Sequence, residues 1–463
     1  MTRILFFNTL SRQKEEFRPI EDGVVKMYTC GPTVYDYAHI GNFRAYVFED
    51  ILHRFLEYAG YRVTRVMNIT DIDDKTIAGA IREGVSLNQY TEKYIKAFFE
   101  DMDCLKLKKA TYFPRATQHI SEMVSLIKTL IEKGHAYEKN GSIYFKISSF
   151  PGYGKLSHYD FENLLTTNTD ADEYEKDQAR DFALWKATKD EPFFWDTEIG
   201  RGRPGWHIEC SAMSMKYLGE TFDIHTGGVD NIFPHHENEI AQSEAATGKK
   251  FVNYWLHCAH LLVDGEKMSK SKGNFYTLRD LLKKGYHPSG IRYLLMTTHY
   301  RDPLNFTEQS LKQAENTVKH IQAFYQRISF ALNNEGNSNQ VIEKYINEAS
   351  EGFVGALSDD LNMSLAMSEV FKFMHSVNEI CERTKISGSD AKRIIGFLEK
   401  INEVIAVIES VETLPDEFVN LIKKREQARR EKNFALADRI RSTLAESGII
   451  LEDTPYGTRW IRK

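Results

Sequence analysis

Two short segments of the sequence carry residues that suit phosphate binding. In the first, His39-Ile40-Gly41-Asn42 stands directly before a stretch with helical spacing of apolar residues. A helix N-terminus offers free backbone N–H groups and partial positive charge, and both suit phosphate. Gly41 lets a ligand approach the backbone, and His39 can donate a hydrogen bond to a phosphate oxygen in a transition state. Taken alone, a His-x-Gly segment in a loop is more often structural.

The second segment is a lysine-rich loop between glycines. Lys267-Met268-Ser269-Lys270-Ser271 lies between Gly265 and Gly273. Lysine is a mobile point charge that can meet pyrophosphate during phosphoryl chemistry. Without other support, a flexible basic loop is the default interpretation of this segment.

A third group of residues has the chemistry of metal ligands. His235 and Glu239 are four positions apart and would share one face of a helix. Cys30 ends the first predicted strand, and Cys210 lies upstream of His235. Two thiolates, an imidazole and a carboxylate suit Zn²⁺. Two cysteines usually indicate a closed structural zinc, but the position of Cys30 just before the first phosphate segment favours a metal that takes part in function.

A βαβ unit is predicted around the first segment. Residues 24–30 and 61–69 alternate as strands, and residues 39–60 between them have helical spacing. Such a unit builds a parallel sheet whose site lies at the carboxyl ends of its strands. A strand at 222–225 followed by a glycine turn indicates that the same sheet resumes after an insertion. The fold class is therefore α/β, a split Rossmann-like catalytic domain with an insertion.

The composition is that of a soluble protein with several domains. The chain has 463 residues, of which 42% are apolar and 27% charged. No run reaches the length of a membrane span, and residues 1–17 do not have the pattern of a signal peptide. We therefore expect a cytoplasmic protein without membrane association. Five widely spread cysteines argue against a disulfide framework.

The C-terminal stretch is basic although the whole chain has a net charge of −6. Residues 421–463 contain eleven Lys/Arg against six Asp/Glu. This asymmetry favours a docking surface for nucleic acid. A solvated helix face is the commoner explanation of any single charge run.

The two phosphate segments together resemble the HIGH and KMSKS motifs of class I aminoacyl-tRNA synthetases. The four metal-ligand candidates narrow the resemblance to the cysteinyl-tRNA synthetase family, and the stretches 68–75 and 180–186 extend it over most of the chain. One position departs from the motif, because Asn42 replaces the second histidine of HIGH. Asparagine can donate a hydrogen bond but carries no charge, which puts in doubt only a cationic role there.

The resemblance assigns roles to individual residues. It implies that Lys270 is the main phosphate contact, and that the catalytic and ATP-binding residues are His39, Gly41, Asn42, Asp230, Lys267 and Lys270. It further implies that zinc is bound in the amino-acid pocket by Cys30, Cys210, His235 and Glu239, and that this pocket is lined by Thr70, Trp206 and His225. For Trp206, core packing is an equally good interpretation. In the basic tail, the candidates for contacts with tRNA are Arg429, Phe434, Asp438, Asp453 and Trp460.

The resemblance also implies the reaction and its domains. L-cysteine would be activated by Mg²⁺-bound ATP and transferred to tRNA(Cys), and a zinc–thiolate bond would distinguish cysteine from serine more sharply than pocket size does. The expected state is a monomer. The expected domains are the two catalytic halves 1–129 and 206–264, a connective insertion 130–205, a KMSKS and stem-contact region 265–305, a helical domain 306–410 and an anticodon-binding domain 411–463.

Two alternatives stay open. A paralogous enzyme could use the same catalytic domain to join cysteine to a small amine, but it should lack the basic tail. A non-catalytic tRNA-binding or zinc-sensing relative should have lost His39, Lys270 or a metal ligand, and the sequence retains them.

Overall fold

The computed structural model describes residues 3–158, 181–188, 192–269, 272–410, 415–454 and 457–462. Lys270 and Ser271 of the lysine-rich loop therefore lie outside the described residues. The chain forms two compact units, and the first consists of Met1–Lys312 with Gly355–Ser364. The second unit consists of Gln313–Val354 and Leu365–Lys463.

The elements follow one another along the chain as alternating strands and helices and then as helices. The strands are Leu5–Asn8 (β1), Gln13–Glu16 (β2), Val24–Thr29 (β3), Arg62–Met67 (β4), Ala136–Lys139 (β5), Ser142–Phe145 (β6), Phe182–Ala187 (β7), Trp195–Thr197 (β8), Gly200–Pro204 (β9), Phe222–Gly228 (β10), Val252–Cys258 (β11), Leu261–Val263 (β12), Glu266–Lys267 (β13), Leu304–Phe306 (β14), Ile449–Thr454 (β15) and Gly457–Arg462 (β16). The helices are Ile40–Tyr58 (α1), Asp74–Glu83 (α2), Leu87–Cys104 (α3), Ile120–Glu132 (α4), Trp206–Leu218 (α5), Glu237–Thr247 (α6), Leu278–Lys283 (α7), Pro288–Thr297 (α8), Glu308–Ser329 (α9), Gln340–Ser358 (α10), Met363–Arg383 (α11), Gly388–Ile405 (α12), Asp416–Arg430 (α13) and Phe434–Glu446 (α14).

The predicted parallel sheet is confirmed, and its strand order is β11-β10-β3-β4. β3 pairs with β4 in parallel, and β10 pairs in parallel with both β3 and β11. Strand β10, which follows the insertion in sequence, therefore lies beside β3, the first strand of this sheet in chain order. Since all four run in one direction, the residues after β3, β4 and β10 meet at one edge of the sheet.

Helix α1 crosses from β3 to β4 and buries an apolar face against the sheet. The fully buried side chains include Phe43, Val47, Leu52 and Phe55. The helix starts where the sequence predicts, because His39 has extended backbone angles and caps it. This start places the first phosphate segment at the edge of the sheet where the three strands end.

The predicted insertion contains part of a second sheet. After helices α3 and α4, strands β5 and β6 form a hairpin and join a sheet of order β5-β6-β7-β9-β8. The hairpin turns at Asn140 and Gly141, whose φ angles are 54° and 83°. Asn-Gly is the sequence signal for such a two-residue turn.

The second unit is helical and ends in the predicted hairpin. Helices α13 and α14 pack on strands β15 and β16 around Ile440, Leu444, Ile449 and Leu451. β15 and β16 pair antiparallel over their whole length. Among the described residues, the helices are too short or too polar for any of them to cross a bilayer.

Candidate active site

The two phosphate segments lie against each other in the first unit. The backbone N–H of Ile40 donates to the carbonyl of Tyr276 at 3.0 Å, just beyond the lysine-rich loop. A Cβ placed on Gly41 would come within 3.1 Å of the Met268 methyl carbon, so the loop's Met268 side chain lies close over Gly41. A larger residue at 41 would displace that side chain. The geometry therefore unites both segments in one site.

His39 and Asn42 form a reciprocal cap at the start of α1. The backbone N–H of Asn42 donates to His39 Nδ1 at 3.1 Å, and the Asn42 Oδ1 accepts from the backbone N–H of His39 at 3.1 Å. Because Nδ1 accepts, the proton of the neutral ring sits on Nε2. Nε2 is then the nitrogen with which His39 can donate to a ligand. The asparagine that departs from the motif thus has a structural role.

A cavity of about 410 Å³ opens beside this cap. Its walls include both phosphate segments through His39, Gly41, Asn42 and Lys267, and Asp230 also lines it. Asp230 is exposed in a short turn that follows β10. The cavity also reaches Cys30, Thr70, Trp206, Cys210 and His235. One cavity is therefore lined by those predicted nucleotide residues that the structure describes and by most of the predicted amino-acid residues.

Four predicted metal ligands converge, and three of them, Cys30, Cys210 and His235, line this cavity. One ligand atom each from Cys30, Cys210, His235 and Glu239 lies within 4.8 Å of the other three. Cys30 follows β3, Cys210 is on α5 and Glu239 is in the first turn of α6. His235 lies in a π-helical turn, Ile232–His236, that leads directly into α6, so the predicted helical spacing of His235 and Glu239 is kept. His235 reaches Glu239, with Nε2 3.0 Å from Oε1.

Histidines outside the ligand set hydrogen-bond to the ligands. His225 Nε2 lies 2.9 Å from Glu239 Oε2, and His207 Nδ1 lies 2.9 Å from His235 Nδ1. His236 Nε2 lies 3.1 Å from the sulfur of Cys30. Metal-binding histidines and carboxylates are commonly oriented by such partners, which leave one atom of each ligand for the metal. Here His235 keeps Nε2 and Glu239 keeps Oε1, and these two atoms lie 3.0 Å apart.

The charges of the site also suit a cation. The hydrogen bond with Cys210 and burial raise the pKa of Cys30 well above its usual value, whereas the same hydrogen bond lowers the pKa of Cys210 to about 6. Burial favours the neutral form of Glu239, but His225 and His235 outweigh it and lower its pKa to about 2. Without a cation, the negative charges of Cys210 and Glu239 oppose ionisation of Cys30. A divalent ion would stabilise both thiolates beside the carboxylate.

A second set of residues meets the same distance criterion. Cys30, His225, His236 and Glu239 also bring one ligand atom each within 4.8 Å of the others. It shares Cys30 and Glu239 with the first set but replaces a thiolate by an imidazole. The first set leaves His225 and His236 as the hydrogen-bonding partners of Glu239 and Cys30, and two thiolates are the softer ligands that zinc prefers.

The remaining amino-acid candidates have different surroundings. Trp206 stacks on His235, with ring centroids 4.2 Å apart and planes 19° apart, and it lines the cavity. Thr70 is buried, donates to Glu209 Oε2 at 3.2 Å and reaches the cavity wall. His225 is fully buried and hydrogen-bonds to Glu239 Oε2.

In the C-terminal part, some tRNA-binding candidates are exposed, and others already contact neighbouring residues. Phe434 is 61% exposed, and Asp438 is also exposed. Asp453 lies between Arg425 and Arg429, with ion-pair distances of 2.6 Å and 2.5 Å. Trp460 packs against the small apolar core. Arg429 and Asp453 would have to exchange these contacts for contacts with a ligand.

The sequence analysis named His225 but not the other histidines near the ligands, which are His207, His236 and His257. His207 and His236 stand close to Cys210 and His235 in sequence, and that adjacency was the available signal. His257 at the end of β11 had no such signal. Burial lowers the pKa of His236 well below its usual value, and it lowers the pKa of His257 to about 3. Both rings are therefore neutral at pH 7.

Comparison with known families matches both parts of the chain. Residues 16–316 match the family model of the class I tRNA synthetase (C) catalytic domain. Residues 412–460 match the model of the cysteinyl-tRNA ligase anticodon-binding domain.

Similar proteins extend these matches over the full length. A cysteine–tRNA ligase of Brachyspira hyodysenteriae is 51% identical over 100% of both chains. One of Protochlamydia amoebophila is 48% identical over 98% of this chain and 96% of its own. Among solved structures, a Mycobacterium tuberculosis methionyl-tRNA synthetase in complex with methionyl-adenylate has a TM-score of 0.61 at 16% identity, over 83% of this chain and 90% of that chain. That likeness confirms the class I synthetase fold, and the full-length identities establish that this chain belongs to the cysteine–tRNA ligase family.

Proposed function

We propose that this chain activates L-cysteine with ATP and transfers it to the terminal adenosine of tRNA(Cys). The observation that carries the proposal is the convergence of Cys30, Cys210, His235 and Glu239, three of which line the cavity that His39 and Lys267 also line. Family membership at about half identity over the whole chain supports the same reaction.

The donor set explains how cysteine is chosen. These four side chains would hold Zn²⁺, which would supply a position for a thiolate and would lower the pKa of a bound thiol. Serine is close to cysteine in size, and differences of that order in a pocket are worth only about 1–3 kcal/mol. A site selective for sulfur therefore needs no separate hydrolytic step to remove serine.

The protein's part in adenylate formation is to position and to stabilise charge. The carboxylate oxygen of cysteine attacks the α-phosphorus of ATP. The bond from that phosphorus to the bridging oxygen breaks, and pyrophosphate leaves with the electron pair of that bond. His39 donates from Nε2 to a phosphate oxygen, Gly41 admits the phosphates to the helix N-terminus, and Asp230 faces the adenosine. Lys267 and Lys270 bind the leaving pyrophosphate, and Mg²⁺ accompanies ATP.

The amino-acid and tRNA contacts complete the proposal. Thr70 and Trp206 contact the amino acid directly, and His225 acts through Glu239. Transfer needs the tRNA anchored by the C-terminal domain, for which Phe434 and Asp438 are the exposed candidates and Arg429, Asp453 and Trp460 the further ones. The domain boundaries proposed above, a monomeric state and a cytoplasmic location complete this assignment.

The direct test is ATP–pyrophosphate exchange that depends on the amino acid. Zinc-loaded protein should exchange with cysteine and not with serine, and removing zinc with a chelator should abolish exchange until zinc is returned. Exchange with serine at a comparable rate, or none with cysteine while zinc is bound, would overturn the proposal. Charging of tRNA(Cys) in the same preparation separates a tRNA ligase from an enzyme that joins cysteine to a small amine.

A further inference from the structure

A series of hydrogen bonds connects the Cys30 sulfur to Thr9 through two histidines. His236 Nε2 lies 3.1 Å from Cys30 Sγ, and His236 Nδ1 lies 2.8 Å from His257 Nε2. The series ends at Thr9, whose hydroxyl lies 2.7 Å from His257 Nδ1. Both imidazoles are buried, and each uses both of its nitrogens in this series.

The direction of these hydrogen bonds follows from the Cys30 sulfur, at which the series begins. A metal-bound cysteine is a thiolate and only accepts hydrogen bonds. Glu239 Oε1, which lies 4.0 Å from His236 Nε2, also only accepts when ionised. His236 Nε2 must therefore carry the ring proton. A neutral ring has a single N–H, so His236 Nδ1 accepts from His257.

The same rule fixes the second ring and its partner. His257 Nε2 donates to His236, so His257 Nδ1 has a lone pair and must accept. The Thr9 hydroxyl is the group that donates to it. In the reverse direction, His236 Nε2 would present a lone pair to the sulfur and the carboxylate, which is repulsive. A donor at the far end thus selects the tautomer that supports the thiolate.

The backbone around Thr9 holds its hydroxyl in place. The backbone N–H of Thr9 donates to the carbonyl of Trp255 at 2.8 Å, on the strand that leads to His257. Asn8 donates from Nδ2 to Asn253 O at 2.9 Å and accepts from the Trp255 N–H at 3.0 Å. The end of β1 is therefore fixed to β11 by side-chain and backbone hydrogen bonds, and Thr9 has no need of the metal to be positioned.

We propose that Thr9 is a positioning residue of the metal centre, which acts through His257 and His236 to keep a hydrogen bond donated to the Cys30 thiolate. This inference rests on the proposed zinc site. Outer hydrogen-bond partners of metal ligands typically change metal affinity about 10- to 100-fold. Thr9 is two residues further out, so the lower end of that range, about tenfold, is expected.

The test replaces the hydroxyl without changing the shape of the side chain. Thr9→Val removes the donor, and Thr9→Ser keeps it as the matched control. Zn²⁺ affinity is measured by chelator competition, and the Co²⁺-substituted proteins are compared by their sulfur-to-metal charge-transfer absorption. Thr9→Val should bind Zn²⁺ about tenfold more weakly and shift the charge-transfer band, whereas Thr9→Ser should match the wild type in both.

A second variant asks whether Thr9 acts through His257. In His257→Gln, the side-chain amide donates to His236 whatever residue stands at position 9. Adding Thr9→Val to that variant should leave its metal affinity and spectrum unchanged. Equal affinity and spectra for Thr9→Val and the wild type, or an additive loss in the double variant, would overturn the inference.

Two controls separate this inference from the proposed function and from misfolding. A wild-type protein that binds Co²⁺ without any sulfur charge-transfer band would overturn the zinc site itself. If Thr9→Val is unstable, its metal-free form will unfold at a lower temperature than metal-free Thr9→Ser. A loss of affinity fully accounted for by that difference would count against a positioning role.

Discussion

Asn42 shows at the scale of one residue how a departure from a motif can keep the function of the site. Its Oδ1 accepts from the His39 N–H, and its own N–H donates to His39 Nδ1. The second contact occupies Nδ1 of His39, so Nε2 is the nitrogen that can donate to a phosphate. A positive charge at position 42 is therefore unnecessary for orienting the first histidine.

Two substitutions at position 42 should separate capping from ligand binding. Asn42→Ala removes the side-chain acceptor, so it should lower the free energy of unfolding by about 1 kcal/mol and slow pyrophosphate exchange about tenfold, or ~1.4 kcal/mol. Asn42→Asp keeps the acceptor but places a charge near the phosphates. It should keep the stability and raise the KM for ATP. Urea unfolding and exchange kinetics check both, and an alanine variant of unchanged stability contradicts the capping role.

The sequence predicted residues whose own side-chain chemistry identifies them. It did not predict residues whose roles depend on contacts made only in the folded protein. The four metal ligands have donor atoms that identify them, and their spacing to the motif suggested one site. The roles of Thr9, His236 and His257 depend on which atoms face each other across β1, α6 and β11. No spacing along the chain encodes those contacts.

At the scale of elements, α1 is held to α8 by a buried ion pair. Asp50 on α1 accepts from Arg292 Nη2 at 2.6 Å and from Arg54 Nε at 2.8 Å. Its second oxygen accepts from the backbone N–H of Lys108 at 2.6 Å. Burial favours the neutral carboxyl, but the charges of Arg292 and Arg54 outweigh it and lower the pKa of Asp50. This network fixes the helix whose first turn carries His39.

Removing the charge of Asp50 should therefore destabilise the first unit. Asp50→Asn leaves Arg292 buried without a counter-charge, and such a loss typically costs about 3–5 kcal/mol. Asp103→Asn is the control, because its contact with Lys109 is exposed and worth about 1 kcal/mol or less. Urea unfolding at pH 7 measures both losses, and a loss at Asp50 no larger than that of the control contradicts the role of the pair.

The same pair predicts a pH dependence. Because the folded pKa of Asp50 is lowered, its stabilisation is fully present above the unfolded pKa of about 3.9 and is lost as the pH falls through the folded value. The difference in unfolding free energy between the wild type and Asp50→Asn should accordingly shrink in acid. A difference that grows below pH 4 would have the wrong sign.

Elements were predictable where one periodicity dominates. The apolar patterns of residues 24–69 predicted β3, α1 and β4. Strand β5 was hidden because it is short and follows two long helices. That β10 joins the sheet of β3 was expected from the resumed strand, whereas its place directly beside β3 was not.

At the scale of the whole molecule, the chain combines an amino-acid-activating unit with a domain similar to anticodon-binding domains. Each has its own core, and the C-terminal core is small. Activation and tRNA recognition should therefore respond to different substitutions. This separation also distinguishes the proposed function from a ligase that needs no tRNA.

Phe434 gives the sharpest test of that separation. Since stacking on an unpaired base is worth about 1–3 kcal/mol, Phe434→Ala should raise the KM for tRNA(Cys) about tenfold and leave cysteine-dependent pyrophosphate exchange unchanged. Leu436→Ala is the matched control, because Leu436 is also exposed, at 40%, on the same helix. Equal effects of the two variants, or a loss of exchange in Phe434→Ala, would count against a direct base contact.

The central claim is that the metal centre selects the substrate by its sulfur, and zinc K-edge X-ray absorption of the zinc-loaded protein tests it most directly. Without cysteine, the account predicts two sulfur neighbours, from Cys30 and Cys210, at about 2.3 Å from the zinc. Saturating cysteine should raise the count to three, and serine should leave it at two. A sulfur count that does not change with cysteine, in protein that still exchanges pyrophosphate, would contradict the account.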